Sequence, residues 1–170
     1  KTKRMTTISF CIVFALALLN LYGSDELVNQ IIPDDQMYPP IGIDSSGNFI
    51  VAWDGYGYYS VGSGDSQGIH ARIFPNDGTE MYQFLVNDTG TNNNQEYPSI
   101  SVDSYGNFII AWESKISSGN YDIKAQRYYS DGTKNGSEIN VNPYSSGNQN
   151  RPCVAISDSG CFVITWDGKG

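Results

Sequence analysis

The chain has 170 residues, 39% of them hydrophobic and 16% charged, with a formal net charge of -8 at pH 7. That length suits one domain of ordinary size. The excess of acid over base excludes nucleic acid as a partner, because the surface would repel its phosphates.

In chain order, Lys1, Lys3 and Arg4 come first, followed by the uncharged apolar run Ile8–Leu19. A basic start and a short apolar run are the pattern of a secretory signal peptide, expected here over residues 1–23. The run is short for a bilayer span of about 20 residues; a retained N-terminal anchor is the alternative, since "NLYGSDEL" offers no clean A-x-A cleavage site. No second apolar run follows, so no membrane span is expected beyond this segment. Without residues 1–23 the chain keeps 7 basic and 18 acidic residues, a net charge of -11. The expected location is secreted, extracellular or at the cell surface.

Residues 24–37 carry "ELVNQ" and read as the last strand of a repeating unit. Three copies of one phrase then follow: "YPPIGIDSSGNFIVAWDG" from Tyr38, "YPSISVDSYGNFIIAWES" from Tyr97 and "RPCVAISDSGCFVITWDG" from Arg151. Eight residues after each proline (Pro39, Pro98, Pro152) stands a glycine: Gly47, Gly106, Gly160. Six further on stands a tryptophan: Trp53, Trp112, Trp166. Downstream, "GIHARIFPNDG" matches "DIKAQRYYSDG", and a Val-Asn pair precedes each proline. The units are residues 38–96, 97–150 and a shorter 151–170, with a period of 59 and then 54 residues.

Each unit reads as four antiparallel strands. "PSISVD" alternates, and an Asp-Ser-Gly turn of hairpin chemistry follows it. "NFIIAW" is apolar on both faces, which means burial on both sides of a sheet. "DIKAQRYY" alternates with polar residues, and "EINVN" is an outer strand. An all-β chain of four-stranded repeats, with the second strand covered twice, fits β-propeller-like blades stacked face to face. About two and a half units are present. The expected partners therefore include the remaining blades of a longer chain.

These segments resemble the units of a family of secreted bacterial and protist repeat proteins that are propeller-like and cell-surface or adhesin-like. The resemblance covers residues 25–170. It implies an architecture and a surface location, and no shared catalytic residues. The third copy departs from it, with Ser157 in place of Asp44 and Asp103, and Cys161 in place of Asn48 and Asn107. "SVDSYGNF" also resembles the Asp-box of sialidase-like propellers, but with an extra residue before the glycine and without its Thr-Trp. That motif is a structural turn and does not imply an enzyme.

Trp53, Trp112 and Trp166 are expected to pack between blades, a sugar-stacking role being the less favoured reading. The acid after each (Asp54, Glu113, Asp167) is the candidate for a rim contact to a ligand or cation, against the plainer reading of turn stabilisation. His70 matches Lys124 of the next unit, so an exposed strand face is expected there rather than catalysis. Asn87 and Asn135 open N-glycosylation sequons, used only in a eukaryotic source. Cys153 and Cys161 lie on one hairpin with Cys153 opposite Thr165, too far apart along the ladder for a disulfide. No catalytic residue, metal site or cofactor is expected.

The expected function is binding or adhesion by a secreted or surface-associated repeat protein, with a glycan as the ligand class. The alternatives are the propeller part of a glycan-active hydrolase whose catalytic residues lie elsewhere, and a purely structural array.

Overall fold

The computed structural model describes residues 15–16, 26–29, 35–56, 67–79, 83–88, 93–117, 119–142 and 147–168. The expected signal peptide falls outside these, save Ala15–Leu16 (β1), which pairs with Glu26–Leu27 (β2). Every other element among the described residues is also a strand, and all pairings are antiparallel.

Three sheets repeat one plan. The first holds Gln36–Met37 (β3), Ile41–Ile43 (β4), Phe49–Gly55 (β5), Gly68–Phe74 (β6) and Phe84–Leu85 (β7). In it β3 and β4 both pair with β5, as two halves of one innermost strand. The second holds Gln95–Val102 (β8), Phe108–Ser117 (β9), Asn120–Tyr128 (β10) and Ile139–Asn140 (β11), in that spatial order. The third holds Gln149–Ile156 (β12) and Phe162–Gly168 (β13).

The sheets pack face to face because the second strand is apolar on both sides. On β9, Phe108, Ile110 and Trp112 point toward the first sheet and meet Ile50, Ala52, Ile69, Ala71 and Ile73. Ile109 and Ala111 point the other way, toward Val154, Ile156 and Ile164 of the third sheet. The far face of the first sheet carries Phe49, Val51, Trp53 and Phe74, with Val28 packed on them.

The valine of the Val-Asn pair has one job in each copy, and the asparagine a second job at Asn87 and Asn142. Val86 enters the core between the first two sheets, Val141 the next core, and Val28 the outer one. The asparagine holds the strand beside it: Ile69 N–H donates to Asn87 Oδ1 at 2.8 Å, and Ile123 N–H to Asn142 Oδ1 at 2.7 Å. Asn87 is buried, and its Nδ2, the atom that would carry a glycan, donates to Asp88 O at 3.3 Å. Asn135 sits in a turn, its N–H donating to Arg127 O at 2.8 Å.

Opposite each tryptophan the innermost strand carries one residue too many. Glu96 pairs with Glu113 and Ser99 with Ala111, so Tyr97 and Pro98 together face Trp112 alone. Arg151 and Pro152 likewise face Trp166. In the first sheet Met37 pairs with Asp54 and Ala52 N–H donates to Pro40 O at 3.1 Å, leaving Tyr38 and Pro39 opposite Trp53. This is a β-bulge, and proline suits it because no ladder N–H is needed there. The residue before the proline takes a left-handed conformation, with φ of 51° at Tyr38, 53° at Tyr97 and 52° at Arg151. A non-glycine residue there costs on the order of 1–2 kcal/mol. The same exception at the same place in all three copies shows that packing imposes it.

Cys153 pairs across from Thr165, and Ser157 N–H donates to Cys161 O at 2.8 Å. Both cysteines are exposed free thiols.

Trp112 is fully buried between the first two sheets. Trp112→Ala should destabilise the chain by about 3–5 kcal/mol, the range for a buried aromatic. Urea denaturation followed by circular dichroism measures it. Unchanged stability would mean that the indole does not hold these sheets together.

Candidate functional site

The bulge rim gathers most of the polar chemistry. Each tryptophan Nε1–H donates to a glutamine Oε1 three residues before the proline: Trp53 to Gln36 at 2.7 Å, Trp112 to Gln95 at 2.8 Å, Trp166 to Gln149 at 2.9 Å. Gly55 makes room for this, since a Cβ there would lie 2.5 Å from Gln36 Oε1. These glutamines escaped the sequence reading. The signal was present as Q-x-x-P in "QMYP", "QEYP" and "QNRP".

The acids that follow the tryptophans reach across sheets. The bulge turns the N–H of its left-handed residue out of its own ladder, and the acid of the preceding copy accepts it. Tyr97 N–H donates to Asp54 Oδ2 at 2.8 Å, and Arg151 N–H to Glu113 Oε1 at 2.7 Å. Both acids are buried. Asp167 instead pairs with Arg151 Nε at 3.0 Å, where both side chains are largely exposed and such a pair contributes little. Asp54 Oδ1 has no hydrogen-bond partner among the described residues. Burial pushes Asp54 up to about 7, beyond what the Tyr97 N–H restores, with Glu96 and Glu113 adding to the rise. Burial also raises Glu113, against the pull of the Arg151 N–H.

The residues that the bulges display line up at this rim. The Tyr38 and Tyr97 rings lie 4.3 Å apart at 39°, both partly open to solvent, and Tyr97 OH donates to Tyr38 OH at 3.3 Å. That hydrogen bond, with burial and the nearby acids, pushes Tyr97 up to about 12. Arg151 holds the equivalent place in the third copy.

His70 is not on an exposed face, as the match to Lys124 implied. It is buried, opposite Trp53, with Nε2 3.2 Å from Gly55 O and its ring 6.0 Å from the indole. The segment around Val28 lies over this face, where Arg72 Nη1 donates to Val28 O at 3.3 Å. Lys124 keeps its ammonium at an edge, 2.6 Å from Glu138. Burial lowers His70 to about 4, so the ring is neutral.

The opposite rim carries the hairpin turns that contain Gly47, Gly106 and Gly160. Asp44 Oδ1 accepts the N–H groups of Ser46 and Asn48, and Oδ2 accepts Asn48 Nδ2 at 2.6 Å. Asp103 repeats the pattern with Tyr105 and Asn107. In the third turn Ser157 Oγ donates to Cys161 O at 3.1 Å instead. Neighbouring turns touch: Ser45 Oγ donates to Ser104 O at 2.7 Å, and Ser104 N–H to Asp158 Oδ1 at 2.8 Å. Among the described residues, no three His, Cys, Asp or Glu side chains gather where a metal ion could be held.

The proton on Asp54 links the sheet interface to pH. Its folded value of about 7 lies above the ordinary 3.8. The folded chain thus keeps a proton that the unfolded chain releases, and this stabilisation is lost as pH rises from about 4 to 7. His70 acts in the opposite sense, its contribution being lost as pH falls from 6.5 to about 4. Asp54→Asn removes only the first effect and keeps an oxygen for the Tyr97 N–H. The variant should be more stable than the parent at pH 8, by up to about 1.4 kcal/mol per unit of the raised pKa. That advantage should vanish at pH 4, as read by urea denaturation at both values. A difference independent of pH would show that Asp54 ionises like an exposed carboxylate.

A scan against protein-family models finds no match to this chain, and a search of curated proteins finds none either.

Proposed function

We propose that the chain is a secreted or surface-associated repeat protein whose sheets are blades of a propeller-like stack, and that it works as a binding or adhesion module for glycans. Stacked antiparallel sheets with a repeated interface support the blade reading. Tyr38 and Tyr97 carry the binding reading. Arg151 shows that the bulge requires no aromatic there, and each ring stands partly in solvent beside its neighbour. Sugars dock on such rings through their C–H faces, and the phenolic oxygens give the polar handle. The buried acids behind them are occupied by the backbone of the next sheet, which leaves the rings as the displayed chemistry of this rim.

Two aromatic contacts of about 0.5–1.5 kcal/mol each amount to roughly tenfold in affinity. Tyr38→Ala/Tyr97→Ala should therefore weaken binding to an immobilised glycan array by about that factor, while the melting temperature stays close to the parent's. A parent chain that binds no glycan would leave the structural array as the better reading. Release of free sugar from the arrayed glycans would favour a hydrolase.

A further inference from the structure

We infer that the opposite rim holds a second, separate ligand site, a groove between the first and second hairpin turns that takes a neutral oligosaccharide. The groove has a volume of about 590 Å³, within the usual range of about 300–1,000 Å³ for small-ligand sites. Its apolar lining is Ile50, Ile73 and Pro75, and Asp44, Asn48, Ser130 and Tyr105 line it as well.

Tyr105 is the telling residue. The three turns share one backbone plan, in which the N–H of the turn's first residue donates to the carbonyl of the residue after the glycine, and the glycine N–H donates back to the first residue's carbonyl. At the place of Tyr105 the other turns carry Ser46 and Ser159. The turn therefore has no need of a ring there. Yet the ring is present, the residue is 71% exposed, and Tyr105 lines a groove flanked by two complete turns. An exposed aromatic that the fold does not use, beside a recess with apolar and hydroxyl lining, has the features of a sugar-stacking platform.

The lining also sorts the ligand. Among the described residues it holds no Lys, Arg or His, and Asp44 brings a carboxylate. Sialylated or sulfated glycans would be repelled, whereas neutral hexose or N-acetylhexosamine units would meet hydrogen-bond acceptors at their hydroxyls. Asp44 Oδ2 lies against Gly106, 3.1 Å from where a Cβ at that position would lie, so the two turns meet at this end of the groove. At φ of 85° Gly106 is glycine for conformational reasons, and its bare Cα also lets the Asp44 carboxylate and Ser130 approach closely.

The ligand class rests on the glycan reading, while the location does not, so the test separates the two. Calorimetry with maltotriose, cellotriose, mannotriose and chitotriose is run on the parent, on Tyr38→Ala/Tyr97→Ala, and on that double variant with Tyr105→Ser added. Tyr105→Ser copies the first and third turns, and an unchanged melting curve verifies the fold. The expected result is that the double variant still binds one of these trisaccharides, and that adding Tyr105→Ser weakens this binding at least tenfold. If the parent binds but the double variant does not, the groove site is wrong and the tyrosine rim stands. If Tyr105→Ser changes nothing, the groove site is equally wrong. If the parent binds no glycan of any kind, both readings fall.

Discussion

The structure depends on an N–H group that its own sheet cannot satisfy. Each bulge swings the amide of the residue before the proline out of the ladder, and a buried amide without an acceptor costs about 1–3 kcal/mol. The acid at the end of the preceding sheet's second strand supplies the acceptor, Asp54 for Tyr97 and Glu113 for Arg151. One irregularity thus fixes the distance and register between neighbouring sheets. Apolar contacts alone would let two flat faces slide, since burial is roughly proportional to area and has no direction. A directed bond from the acid at one rim and serine contacts along the innermost strands, such as Val154 N–H to Ser99 Oγ at 3.2 Å and Ile156 N–H to Ser101 Oγ at 3.1 Å, set the stacking.

The same device explains the protonation of Asp54. A carboxylate buried to accept one N–H, with its second oxygen lacking a partner among the described residues, is only partly compensated for its lost hydration. Glu96 and Glu113 lie near enough to oppose its charge. A neutral carboxyl still accepts the Tyr97 N–H, so the interface keeps its directional bond whichever form is present. The tryptophans raise a parallel problem, because a buried indole N–H also needs an acceptor, and a glutamine from the innermost strand answers it in every copy. Neutral Trp–Gln pairs cost little to bury, whereas the acids carry the electrostatic strain. The two polar systems share one rim but respond differently to pH.

Much of the architecture was legible in the sequence because repetition and alternation are local properties. Phe108 to Trp112, apolar on both faces, announced a strand covered twice, and the two core clusters on either side of β9 follow from it. The bulge was not legible. It adds one residue to a strand without altering the apolar pattern, and the proline that marks it also reads as a plain strand start. With the bulge hidden, Asp54 and Glu113 could be weighed only as ligands or as caps of their own turns, and acceptance of a neighbouring sheet's N–H was out of view. His70 was misplaced for a related reason. Comparison with Lys124 assumed that equal positions meet equal surroundings, but the far face of the first sheet lies under the segment around Val28. The glutamines were visible in hindsight as the third residue before every proline.

Repeats inside one chain also separate what the fold requires from what it merely tolerates. Where the copies agree, as at the tryptophan, its glutamine and the acid beside it, the shared geometry gives the physical reason: one interface is built more than once. Where they differ on a common backbone, the fold is indifferent and the difference needs another cause. The third turn replaces the aspartate and asparagine by Ser157 and Cys161 and still closes with the same Ser157–Cys161 backbone bond, so even the carboxylate of the turn is dispensable to its shape. By the same comparison, a left-handed residue before the proline is imposed by the bulge. The choice of an aromatic side chain there is not imposed, since Arg151 holds the conformation as well as Tyr38 and Tyr97 do. The rings at positions 38, 97 and 105 therefore stand outside the requirements of the scaffold. An exposed ring that the scaffold does not need is where a protein of this build can meet a ligand without giving up the acid and serine contacts that stack its sheets.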